Sequence, residues 1–232
     1  MAVRLKSVDI IYDKGDIEYS LEKKYNIREL KTYLNLTTSL HIFVVTTMCN
    51  MGCVYCQANN GLKNSNMVMD YDVAEKSVDI ALDSPEKNLT FEFQGGEPLL
   101  NFDIIRHIIE YSQKKKGSHD IEYSVVTNLT LLSDEMIELF KEYNVNVSTS
   151  IDGSEIHNYN RKYKDGTGTY KKVVSSIERL RKEGVNVGAI ETTTRNSLQH
   201  PEDIVKTYVE LGFDSIFIRT LTQLGKATKN CL

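Results

Sequence analysis

Residues 40–58 read LHIFVVTTMCNMGCVYCQA, an apolar, β-branched run that leads directly into three cysteines. The run Leu40–Thr47 is typical of a buried strand. Cys49, Cys53 and Cys56 follow with the spacing CxxxCxxC, where the loop after that strand should begin. Thiols crowded so closely are a poor layout for a disulfide framework. The stretch therefore predicts a metal or cluster site directly after the first strand.

From residue 40 onward, short β-rich runs alternate with segments in which apolar residues recur at helical spacing. The runs predicted to be strands are Leu40–Thr47, Asn88–Gln94, Ile121–Thr127, Val145–Ile151, Val185–Ile190 and Ser215–Leu221. The segments predicted to be helices are Tyr71–Leu82, Phe102–Lys115, Asp134–Tyr143, Tyr170–Glu183 and Pro201–Leu211. This alternation predicts an α/β fold with parallel strands.

Two architectures fit the alternation, a partial (β/α)6 barrel of the TIM type and a doubly wound sheet, and we favour the partial barrel. In both, ligands bind at the carboxyl ends of the strands. Residues 40–228 are predicted to form this core domain. Residues 1–39 are predicted to be an N-terminal extension, and residues 229–232 a tail or the truncated start of an auxiliary domain.

Composition narrows the choice of partners. The chain has 232 residues, a net charge of -4 and 41% hydrophobic residues, which is typical of a globular protein. An acidic chain is a poor ligand for polyanions, and no apolar run approaches the roughly 20 residues of a membrane span. The N-terminus lacks the apolar region of a signal peptide. We therefore expect a cytoplasmic protein that binds neither nucleic acid nor membranes.

The cysteine spacing suits an iron–sulfur cluster. A cubane [4Fe–4S] cluster usually takes four thiolates, so three cysteines leave one iron open to another ligand. A zinc site is the alternative, but it typically needs four ligands in pairs. No second pair is present, and Cys231 and His41 are isolated candidates. A non-catalytic zinc or cluster-binding module nevertheless stays open as an alternative function.

The triplet, with Tyr55 just before its last cysteine, resembles the radical S-adenosylmethionine (SAM) superfamily. The resemblance implies that the open iron binds S-adenosylmethionine (AdoMet) through its amino and carboxylate groups. It further implies that one electron from the cluster cleaves AdoMet to a 5′-deoxyadenosyl radical, which abstracts hydrogen from a substrate. Tyr55 would then lie close to the adenine.

The second strand ends in a glycine-rich motif, Gly95-Gly96-Glu97-Pro98. Two glycines allow close approach of a backbone, and a carboxylate or carbonyl can accept hydrogen bonds from an ammonium group. At this position the motif is similar to the one that binds the AdoMet amino group in the superfamily. The resemblance thus makes all four residues candidates for cofactor binding.

The third strand runs into Thr127-Asn128-Leu129-Thr130, which resembles the Thr-Asn-Gly-Thr of the family except for Leu129. Leucine strongly disfavours a positive φ angle. The substitution therefore predicts that this backbone position does not need one. Asn128 is a further candidate for lining the cofactor site.

The fourth strand ends at Ser150, followed by Asp152-Gly153, His157 and Arg161. This pattern resembles the peptide- and protein-modifying branch of the superfamily, to which sulfatase-maturating enzymes belong. There the serine and a downstream arginine bind the AdoMet carboxylate, and a guanidinium fork suits that task. Ser150 and Arg161 are accordingly candidates, whereas His157 and the catalytic residues stay unassigned.

The resemblance also bears on the substrate. Residues 40–58 are especially similar to maturases of the His-Xaa-Ser type, whose family usually continues into a cysteine-rich SPASM domain; Cys231 would be the only residue here to begin one. We therefore expect a peptide or protein substrate and, by analogy, a flavodoxin or ferredoxin as low-potential electron donor. A radical SAM enzyme acting on a small molecule is the alternative.

We predict that Cys53→Ala abolishes both the charge-transfer absorbance of the reconstituted cluster and all AdoMet cleavage, because only two triplet thiolates then remain. Cys231→Ala is the matched control, since that cysteine stands apart from the triplet. Absorbance spectra and an assay for 5′-deoxyadenosine report the two effects. Residual AdoMet cleavage by the Cys53 variant would show that the triplet has been misinterpreted.

Overall fold

A computed structural model describes residues 38–58 and 67–227. Nearly all of the predicted N-terminal extension, the tail 229–232 and Cys231 lie outside the described residues. The strands are β1 (Leu40–Thr46), β2 (Asn88–Gly95), β3 (Asp120–Val126), β4 (Asn146–Ser150), β5 (Val187–Thr193) and β6 (Phe217–Thr220). The six predicted strands are therefore confirmed, with small shifts at their ends.

The strands form one parallel sheet in the order β1-β2-β3-β4-β5-β6. Among the described strands β1 pairs only with β2 and β6 only with β5, so the sheet stays open between its edges. Consecutive parallel strands need a crossover connection, which the helices supply. The predicted α/β fold, an open barrel-like sheet, is confirmed.

The helices follow the strands as predicted. They are α1 (Tyr71–Leu82), α2 (Phe102–Lys115), α3 (Asp134–Glu142), α4 (His157–Asn160), α5 (Tyr170–Lys182) and α6 (Pro201–Glu210). Short 3₁₀ turns span Pro98–Asn101 and Ser197–Gln199. The sequence did not predict these turns or α4, because a single turn is too short to show helical periodicity. Among the described residues, no helix has the length and apolar character needed to cross a membrane.

Side chains that point alternately to the two faces of the sheet separate the hydrophobic core from the candidate site. Phe91 and Phe93 of β2 are completely buried against the helices, as are Tyr123 and Val125 of β3. Successive side chains of a strand point to opposite faces. The residues between these, such as Gln94, therefore point to the inner face of the sheet. The helix-side face supplies the core, which leaves the inner face free to carry polar groups.

The end of β5 differs from the prediction. The sequence placed this strand at Val185–Ile190, whereas the structure extends it to Thr193, which pairs with Thr220 of β6. The added residues are Glu191 and two threonines, and the β-branched threonines favour extended backbone. The extension carries the main chain of Thr192 up to the candidate site.

The prediction for Leu129 is wrong. Leu129 adopts the left-handed conformation, with φ of 59°, in the turn after β3. Its side chain is completely buried in the hydrophobic core, and its carbonyl oxygen accepts a hydrogen bond of 2.9 Å from Ser176. Burying a leucine contributes about 1.5–3 kcal/mol, which offsets the cost of about 1–2 kcal/mol for this backbone conformation. Tertiary packing here overrides the local preference that the sequence displays.

We predict that Leu129→Gly lowers the free energy of unfolding by about 1–3 kcal/mol, because the lost burial outweighs the relieved backbone strain. Asn144→Gly is the matched control, since Asn144 also has a positive φ of 50° but its side chain is exposed. That control should change stability by less than about 0.5 kcal/mol. Urea unfolding measures both, and a Leu129→Gly variant as stable as the parent would contradict this explanation.

Candidate cluster and cofactor site

A cavity of about 210 Å³ opens at the carboxyl ends of the strands, where the predicted fold places a ligand site. The three triplet cysteines face it together with strand-end residues from all six strands or the loops that follow them. The predicted site residues that line it are Cys49, Cys53, Cys56, Tyr55, Gly95, Gly96, Glu97, Asn128, Ser150 and Arg161. Pro98 is the exception, because it is buried at the start of the 3₁₀ turn and does not line the cavity.

The three cysteines are partly exposed free thiols. The Cys49 Sγ accepts a hydrogen bond of 3.4 Å from the Met51 N–H and lies 3.9 Å from the Asn128 Nδ2. Burial raises the pKa of the Cys49 thiol to about 11, and burial also raises the pKa of Cys53, against the neighbouring Arg161 cation that lowers it. Such thiols need a metal to deprotonate them, which is how clusters bind.

The arrangement fits a cluster in the chemistry of its donors. Within the described part of the chain, no three Cys, His, Asp or Glu side chains converge on one point as ligands of a single metal ion. A cubane makes a different demand, because each cysteine binds a separate iron atom. Three thiols spread around one cavity can meet that demand, and Cys49, Cys53 and Cys56 are the residues that would hold the cluster.

The glycine pair lets the main chain of β2 approach the cysteine loop. A Cβ atom on Gly95 would lie 2.2 Å from the Thr46 carbonyl oxygen, and one on Gly96 would lie 2.3 Å from that of Met48. The Gly96 N–H donates to the Thr46 carbonyl at 2.9 Å, and the Glu97 N–H donates to the Met48 carbonyl at 2.7 Å. The glycines thus fix the loop that begins at Met48, in addition to facing the cavity.

The Glu97 carboxylate joins the second and third strand ends. It is 1% exposed and accepts hydrogen bonds from the Thr127 hydroxyl at 2.6 Å and the Asn128 N–H at 2.7 Å, as well as the Leu99 N–H at 3.1 Å. Burial raises the pKa of this carboxyl group, and those three hydrogen bonds lower it. The side chain is therefore mostly engaged with protein groups.

Asn128 holds the cysteine loop from the other side. Its Nδ2 donates to the Asn50 Oδ1 at 2.9 Å, and the Asn50 Nδ2 donates to the Thr130 hydroxyl at 2.8 Å. The Asn128 Oδ1 in turn accepts from the Thr130 N–H at 2.9 Å. Because Asn50 directly follows Cys49, this amide pair fixes the position of the first thiol.

A buried polar chain connects Tyr55, Asp152 and Arg161. The Tyr55 hydroxyl donates to the Asp152 Oδ2 at 2.7 Å and accepts from the Arg161 Nη1 at 2.9 Å. Asp152, which is completely buried, also accepts from the Asn160 Nδ2 at 3.1 Å and the Thr192 N–H at 3.2 Å. Burial raises the pKa of Asp152, which the Arg161 cation and these donors counteract.

His157 supports this chain and does not face the cavity. Its Nδ1 lies 3.4 Å from the Asp152 N–H, and its Nε2 lies 3.2 Å from the Thr169 hydroxyl, which donates to the Arg161 carbonyl at 2.7 Å. The hydroxyl proton is thus used, so the Nε2 must donate and the Nδ1 must accept. Burial and the Arg161 cation lower the pKa of His157 to about 3. The ring is therefore neutral and structural.

Several residues of the site received no role from the sequence. Asp152 stood in the quoted pattern without a role, and Asn50 lay inside the triplet unnoticed. Thr192 and Arg219 lie at the ends of β5 and β6, where the sequence indicated that they could face the site, and they line the cavity. The position of Asp152 between a strand end and a glycine was a comparable signal. The role of Asn50 depends on contacts between segments that are distant in sequence.

Comparison of the sequence with known proteins identifies the family to which the chain belongs. The family model for the radical SAM superfamily matches residues 43–208. An uncharacterized protein of Methanocaldococcus jannaschii is 34% identical over 175 residues, which cover 75% of this chain and 60% of that protein. A cysteine-type anaerobic sulfatase-maturating enzyme of Clostridium novyi is 31% identical over 182 residues, covering 75% of this chain and 49% of the enzyme.

Comparison with solved structures also finds AdoMet-bound proteins of similar fold. The structure of anSMEcpe with bound AdoMet superposes with a TM-score of 0.74 and 30% identity, covering 79% of this chain and 51% of that one. The structure of anSMEcpe with bound AdoMet and the Kp18Cys peptide gives a TM-score of 0.73 at 29% identity, with the same coverage.

The fold, the cysteine triplet and these similarities define a radical SAM domain, and the chain belongs to the radical SAM superfamily. Its relatives include the sulfatase-maturating enzymes that the motifs resembled. Membership carries the two predicted cofactors of the class, a [4Fe–4S] cluster and AdoMet. The chain spans about half to three fifths of the length of the relatives described above.

We predict that Gly96→Ala lowers the free energy of unfolding by about 1–3 kcal/mol and reduces iron uptake, because the new methyl group displaces the cysteine loop. Gly188→Ala is the matched control, since a Cβ there meets no atom within 4 Å. That change should be neutral or stabilising by up to about 1 kcal/mol. Urea unfolding and iron counting test both variants. Normal iron uptake by Gly96→Ala would contradict the claim that Gly96 fixes the cysteine loop.

Proposed function

We propose that this protein reductively cleaves AdoMet at a [4Fe–4S] cluster and uses the resulting 5′-deoxyadenosyl radical to modify a peptide or protein side chain. One observation carries the proposal. The three thiols, the glycine pair at the end of β2 and the Arg161 guanidinium all face one cavity at the carboxyl ends of the strands. The bound cofactors supply the electron transfer and the radical chemistry, while the protein binds, orients and shields them.

Each group has a task that its chemistry suits. Cys49, Cys53 and Cys56 would hold three irons of the cluster and leave the fourth for AdoMet. Main-chain groups of Gly95 and Gly96, with the Glu97 carboxylate behind them, would receive the AdoMet amino group; Pro98 shapes the turn that follows them.

The opposite wall would bind the AdoMet carboxylate. The Arg161 guanidinium carries further N–H donors beyond the one used by Tyr55, and the Ser150 hydroxyl makes no hydrogen bond within the described residues. Both line the cavity, as does Tyr55, whose predicted place is near the adenine. Asn128 would close the site beside Cys49.

The similarities support a peptide or protein substrate. Sulfatase-maturating enzymes and the peptide complex of anSMEcpe are among the similar proteins. The inner face of the sheet also leaves room, since Ile42 and Val44 of β1 are each 51% exposed there. Residues 40–228 form the core domain in this proposal, with a flavodoxin or ferredoxin as electron donor and the cytoplasm as location.

The primary test is anaerobic reconstitution with iron and sulfide, reduction with dithionite and an assay for 5′-deoxyadenosine. We expect about four irons per chain and formation of 5′-deoxyadenosine from AdoMet. The reconstituted Cys53→Ala variant serves as the control for cleavage by loosely bound iron. Binding of zinc in place of iron, with no AdoMet cleavage, would overturn the proposal in favour of a metal-binding module.

The substrate class needs a separate measurement. The reduced enzyme is incubated with AdoMet and the Kp18Cys peptide, and the peptide is then analysed by mass spectrometry. A mass change that requires AdoMet supports peptide modification. If AdoMet is cleaved and a small molecule is converted while the peptide stays unmodified, the alternative is favoured, namely a radical SAM enzyme that acts on a small molecule.

A further inference from the structure

Asp152 is joined to Arg161, which lines the cavity, through the Tyr55 hydroxyl, although Asp152 does not itself line the cavity. It sits just beyond the end of β4 and is completely buried. Its Oδ1 accepts from the Thr192 N–H, and its Oδ2 accepts from both Asn160 and Tyr55. Every donor to this carboxylate among the described residues is neutral, so no direct ion pair cancels its charge there.

Proton positions make Tyr55 a bridge. Arginine can only donate, so the Tyr55 oxygen must accept from the Arg161 Nη1, at 2.9 Å. The Tyr55 proton is then committed to the Asp152 Oδ2, at 2.7 Å. Arg161 thus donates to Tyr55, which donates to Asp152, so the position of the carboxylate fixes the hydroxyl to which the guanidinium is hydrogen-bonded. The guanidinium carbon also lies 5.9 Å from the centre of the Tyr55 ring, which keeps the two groups together.

The main chain alone does not fix the guanidinium. The Val54 N–H donates to the Asn160 carbonyl at 2.9 Å, and the Gly52 N–H donates to the Lys162 carbonyl at 2.8 Å, so the backbone on both sides of Arg161 is paired with the cysteine loop. These bonds place the Arg161 Cα but leave its long side chain free to rotate. Among the described residues, Tyr55 is the only group that hydrogen-bonds the guanidinium.

We propose that Asp152 and the Tyr55 hydroxyl are positioning residues that aim Arg161 at the carboxylate of AdoMet. A direct Asp–Arg ion pair would occupy the bidentate face of the guanidinium, which is the face that recognises carboxylates. A bridging hydroxyl uses one N–H and leaves that face for the ligand. The inference rests on the proposed function and assigns it two residues that determine cofactor recognition.

The test compares binding of AdoMet with binding of decarboxylated AdoMet, which lacks the carboxylate. Dissociation constants are measured by equilibrium dialysis on the oxidised, iron-loaded protein, in which no turnover occurs. Tyr55→Phe should weaken AdoMet by about tenfold, the scale of one charge-assisted hydrogen bond, and leave decarboxylated AdoMet nearly unchanged. The preference for AdoMet therefore falls by the same factor.

Tyr208→Phe is the matched control. Tyr208 is 3% exposed, and its hydroxyl donates to the Ile151 carbonyl at 2.9 Å, next to Asp152 but without a hydrogen bond to Arg161 among the described residues. Removing this hydroxyl should leave the ratio of the two dissociation constants unchanged. It reports any loss that comes merely from deleting a buried hydroxyl near the strand end.

Asp152→Asn removes the negative charge at the far end of the bridge and leaves the residue beside the cysteines intact. Both oxygens of Asp152 accept hydrogen bonds, so one amide NH₂ must face a donor. The preference should fall as in Tyr55→Phe. This variant decides the question if Tyr55→Phe takes up too little iron to measure.

The outcomes separate two kinds of failure. Equal weakening of both ligands, or an unchanged preference in both variants, would overturn the positioning role and leave the proposed function standing. If the iron-loaded parent protein binds neither ligand, the proposed function fails and the inference fails with it.

Discussion

The buried carboxylate of Glu97 is the interaction on which the rest of the site depends. Removing a carboxylate from water costs several kcal/mol unless hydrogen bonds compensate it, and here Thr127, Asn128 and Leu99 supply them. The main-chain N–H of the same residue holds Met48 at the start of the cysteine loop. One residue thus joins the ends of β2 and β3 to the loop that carries the thiols, so the first cysteine cannot move without breaking a buried network.

A second network, on the opposite wall, is built around Asp152. The Glu97 and Asp152 networks have different roles. The Glu97 network is rigid because main-chain groups of adjacent strands meet where glycines leave no room for a Cβ. The Asp152 network instead orients a long, charged side chain, Arg161, through Tyr55. Both become possible because the aromatic core packs only on the helix side of the sheet. The inner face can then carry polar groups without weakening that core.

Much of the fold and of the candidate site could be predicted from the sequence. The strands and long helices show clear periodicity, and the triplet and glycine motif are local patterns, so their positions followed. Leu129 could not be predicted, because its positive φ is stabilised by burial among residues far away in sequence. Asp152 and Asn50 escaped for the same reason, since their roles come from partners on other strands. The sequence identified the groups that line the cavity better than the groups that hold them in place.

The central claim is that three cysteines hold a cluster whose remaining iron is open to AdoMet. Mössbauer spectroscopy of protein reconstituted with ⁵⁷Fe tests this most directly, because it reports the iron sites separately, before and after AdoMet is added. We expect a [4Fe–4S] spectrum in which one iron of the four changes on addition of AdoMet. A spectrum in which all irons stay unchanged, or iron bound without a cubane signature, would contradict it.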